Sequence, residues 1–61
     1  MDVKERFLRV YSSLPIGTRR EIVLVLEKEG PISWEVAYSE IDNSTELGGL
    51  ILQKLETLGF I

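Results

Sequence analysis

The chain contains no cysteine and no histidine. Without cysteine there is neither a disulfide framework nor a thiolate metal site to stabilise a small fold. Without histidine the commonest metal ligand and the usual general base are missing, and no Ser-His-Asp or Cys-His arrangement can be assembled. Long apolar runs are absent too. The longest, Ile22 to Leu26, falls far short of the roughly 20 residues that span a bilayer, and Asp2, Lys4, Glu5 and Arg6 interrupt any hydrophobic leader. These features predict a soluble, cytoplasmic protein. No enzyme is expected either. Lys28 and Lys54 stand in no motif, and the acid pairs Glu27/Glu29 and Glu35/Glu40 fall on short surface segments rather than in a cleft. Gly48-Gly49 lacks the strand and the lysine of a phosphate loop. No cofactor is implied.

What remains is a chain of 61 residues, one domain at most. A domain of that size buries only about 60% of its unfolded surface, so it leans on tight helix packing or on a partner. The net charge of −3 conceals an asymmetry. Residues 1–20 carry five basic side chains against two acidic ones, while residues 21–61 carry two against eight. Nucleic-acid binders usually show a basic footprint, so the total weighs against DNA while the split leaves one basic surface available.

Periodicity and punctuation predict helices throughout. Asp2 can cap a first helix reaching Leu14, in which Val3, Phe7, Val10, Tyr11 and Leu14 form one apolar stripe, with Arg6 and Arg9 opposite. Ser12, Ser13, Pro15 and Gly17 end it. Thr18, with Glu21 three residues on, has the pattern of a capping box and predicts a second helix through Ile22–Leu26 to Glu29. The apolar run alone would also suit a buried strand. Gly30 and Pro31 read as a helix stop, and Leu24 lies on the side available to a subunit interface. Ser33 caps a third helix to Ile41, whose Trp34 and Tyr38 read as core or interface anchors. Asp42, Asn43 and Ser44 form a turn, with Asn43 suited to a left-handed conformation and Asn43 or Ser44 able to cap the helix that follows.

That last helix runs from Thr45 to Leu58, stopped by Gly59. Gly48-Gly49 in its interior admits three readings: a frayed start or close packing of two helices, close approach to a phosphate backbone, or a helix that begins only near Leu50. The expected core is Phe7, Val10, Leu14, Ile22, Val25, Leu26, Ala37, Ile41, Leu47, Ile51, Leu55 and Leu58. The predicted fold class is all-α, a bundle of three to four helices containing a helix-turn-helix.

The closing stretch Leu55-Glu56-Thr57-Leu58-Gly59-Phe60-Ile61 resembles the end of the recognition helix in winged-helix regulators of the MarR and ArsR type. Pro31-Ile32-Ser33 before the first motif helix and Ser44-Thr45 at the start of the second fit the same family. The resemblance covers Pro31 to Ile61 and, more loosely, Arg20 to Gly30. It implies a winged-helix-like domain that contacts duplex DNA as a homodimer, with Thr45, Gly49 and Gln53 toward base edges, Ser44 on a phosphate and Lys54 at the edge. Arg19 and Arg20, placed at the start of the predicted second helix, add a phosphate site. The sequence departs from the family at Glu46 and Glu56, which bring negative charge to the reading face, and in having no arginine on that helix. The wing would begin only where the chain ends. The alternative function is therefore a dimerising protein-interaction module on the same scaffold, without DNA.

Overall fold

The computed structural model describes residues 2–61. The elements run α1 (Val3–Ser13), a 3-10 turn (Thr18–Arg20), β1 (Ile22–Leu26), β2 (Gly30–Ser33), α2 (Trp34–Asp42) and α3 (Glu46–Leu58). The molecule is a small α/β domain of three helices and one antiparallel hairpin, which corrects the all-α expectation.

The correction falls on Ile22–Leu26. Only Leu24 and Leu26 are buried, while Ile22 is 54% and Val25 70% exposed. From Leu24 to Leu26 that is the period-2 alternation of a half-buried strand, rich in β-branched residues, and exposed Ile22 lies beyond a break in the register. The flanks that seemed to frame a helix do other work. Thr18 opens only a single 3-10 turn, closed by a 2.9 Å bond from the Glu21 amide to the Thr18 carbonyl, after which Glu21 is extended. Gly30 is left-handed (φ 80°) and closes the hairpin after Glu27-Lys28-Glu29, rather than capping a helix. Pro31 sits opposite Val25 in β2, tolerated because a two-stranded sheet consists of edges. The register slips between Ile22 and Leu24, so β1 carries a bulge at its start. At its base, the Trp34 amide donates to the Glu21 carbonyl at 3.2 Å.

The helix signals behave as the sequence indicates at most ends. Asp2 accepts from the Lys4 amide, Ser33 from the Val36 amide, and Gly59 ends α3 at φ 82°. The turn before α3 differs in detail: Thr45 is the cap, accepting from the Gly48 amide at 2.9 Å, and Ser44 rather than Asn43 takes the positive φ, at 55°.

The core joins the hairpin's inner face to the three helices through Phe7, Leu24, Leu26, Ile32, Ala37, Ile41, Ile51 and Leu55. Each large side chain removed from water contributes about 1.5–3 kcal/mol. Leu24, expected at an outer side, and Ile32, not expected at all, belong to it because the strands alternate. Ile22, Val25 and Leu58 do not. Val10, Leu14 and Leu47 are half-buried. Four of the five aromatic residues form a stack around Phe7, with Trp34 at 6.1 Å, Tyr11 at 6.0 Å and Tyr38 next to Tyr11 at 4.5 Å between ring centres. No helix among the described residues is long and apolar enough to cross a membrane.

Candidate functional site

Helices α2 and α3 are joined by the short turn Asn43–Thr45. It is pinned by bonds from the Ser44 amide to Ile41 and from the Thr45 amide to Glu40, both 3.1 Å. The helices pass close to each other at Gly48. A Cβ there would collide with the Glu40 carbonyl oxygen and come within 2.9 Å of the Ile41 Cα. Close packing thus accounts for Gly48. Gly49 meets nothing within 4 Å and is exposed.

The residues expected to meet DNA fall into two groups. Ser44, Thr45, Gly49, Gln53 and Lys54 are all exposed, along the turn and α3. Arg19 and Arg20 lie elsewhere, in the single 3-10 turn, and not at the start of a helix able to present amides to a phosphate. Arg19 is half-buried against the end of α1. Its guanidinium lies 4.5 Å from the centre of the Tyr11 ring and donates to the Tyr11 carbonyl at 3.2 Å and the Ser12 carbonyl at 3.5 Å. It bonds two carbonyls in the last turn of α1, that of Tyr11 being shared with the Leu14 amide, a structural duty. Arg20 is exposed.

Two contacts that periodicity could not reveal alter the charge of the α3 face. Arg6 bonds Glu56 at 2.8 Å, joining α1 to α3, so neither is a free charge. Lys4 reaches Ser44 at 3.5 Å. Both span forty or more residues of sequence.

The larger feature is a groove between β1 and α3. One wall is the unbroken run Leu24 to Glu29, and the other is Leu50, Lys54, Thr57 and Leu58. Val25, Leu50 and Leu58 are exposed there, Leu58 by 60%. Glu27, Lys28, Glu29 and Lys54 ring it, and it continues past Glu29 to Thr45 and Glu46. The signal in sequence was the surplus of apolar residues in Ile22–Leu26, which a helix reading absorbs into a core. Among the described residues no cluster of acidic side chains is arranged to hold a metal ion. Comparison with protein-family models, curated proteins and solved structures finds no match to this chain.

Proposed function

We propose that the chain is a non-catalytic protein-interaction module that meets its partner through the groove between β1 and α3. The observation that carries this reading is that three of the exposed large apolar side chains, Val25, Leu50 and Leu58, open on a single groove with a charged rim. An apolar centre inside a polar rim is the anatomy of a surface that a partner covers. The cytoplasmic setting expected from the sequence belongs to the same proposal.

A second reading, contact with duplex DNA through α3, is favoured by the exposure of Thr45, Gly49, Gln53 and Lys54 on a helix held firmly at Gly48. Charge weighs against it. Arg6 is bound to Glu56 and Arg19 to α1. The remaining cations are spread over α1, the 3-10 turn, the hairpin and α3, where Lys54 shares its helix with Glu46. Affinity for DNA grows with the number of phosphates neutralised, and one lysine on the reading helix supplies little.

Fluorescence anisotropy with random duplex DNA at two salt concentrations separates the readings. The module reading expects no binding at low salt; binding that weakens steeply with added salt would replace it with the DNA reading. A parallel co-precipitation compares the wild-type chain with Leu58→Asp. The expected result is a protein partner, the chain itself included, retained by the wild type and lost by the variant.

A further inference from the structure

We draw no further inference here: the strongest candidate, the groove between β1 and α3 with its unpaired strand edge, has a rim that mixes Glu27 and Glu29 with Lys28 and Lys54, and nothing in the structure shows what covers it.

Discussion

At Gly48 an added Cβ would strike the Glu40 carbonyl, whereas at Gly49, one residue on, it would meet open space. The two glycines therefore answer a methyl group in opposite ways. Gly48→Ala must push α3 away from the end of α2, and overpacking of this kind costs about 1–3 kcal/mol. Gly49→Ala removes backbone freedom from the unfolded chain at an exposed helical position and is expected to stabilise by up to about 1 kcal/mol. Denaturant unfolding of the two variants checks this, and effects of the same sign would show that the helices do not cross at Gly48. Sequence alone offered close packing as one of three readings for the pair and could not divide them, because only the crossing distinguishes one glycine from the next. Arg19 is a similar case. Its place over Tyr11 depends on the chain doubling back between Leu14 and Thr18, which no local pattern encodes.

Among the elements, the three surviving helices were legible because their ends carry their own chemistry: Asp2, Ser33 and Gly59 act where capping preferences put them. The hairpin was not. A five-residue apolar run has no room to display a period, and Gly30-Pro31 punctuates a helix stop and a hairpin equally well. What decides is which residues are inside, and this gives a test at single positions. Leu26, 4% exposed, should cost about 2–5 kcal/mol when cut to alanine. Val25→Thr keeps the β-branched shape at an exposed site and should change stability by less than about 0.5 kcal/mol. Equal losses at both positions, measured by thermal or denaturant unfolding, would return this segment to a helix buried almost all round.

For the whole molecule, the strand assignment changes what the surface offers. A buried central helix would have left the exposed side of α3 as the main candidate site. The hairpin instead turns Val25 outward and opens a groove against Leu50 and Leu58. The charge asymmetry read from the sequence also takes a different form once Arg6 is bound to Glu56 and Arg19 to α1. Lys54 and Lys4, which reaches Ser44, are positive charges left near α3, and on the proposed reading the exposed apolar side chains make the groove the better place for a partner. Residue-by-residue amide spectra, recorded with the partner retained in co-precipitation and again with duplex DNA added, test that conclusion most directly. The expected result is change confined to Leu24–Glu29 and to Leu50, Lys54 and Leu58 when the partner is added, with no response to DNA. Changes at Thr45, Gly49 and Gln53 on adding DNA, with the groove silent toward the partner, would contradict it.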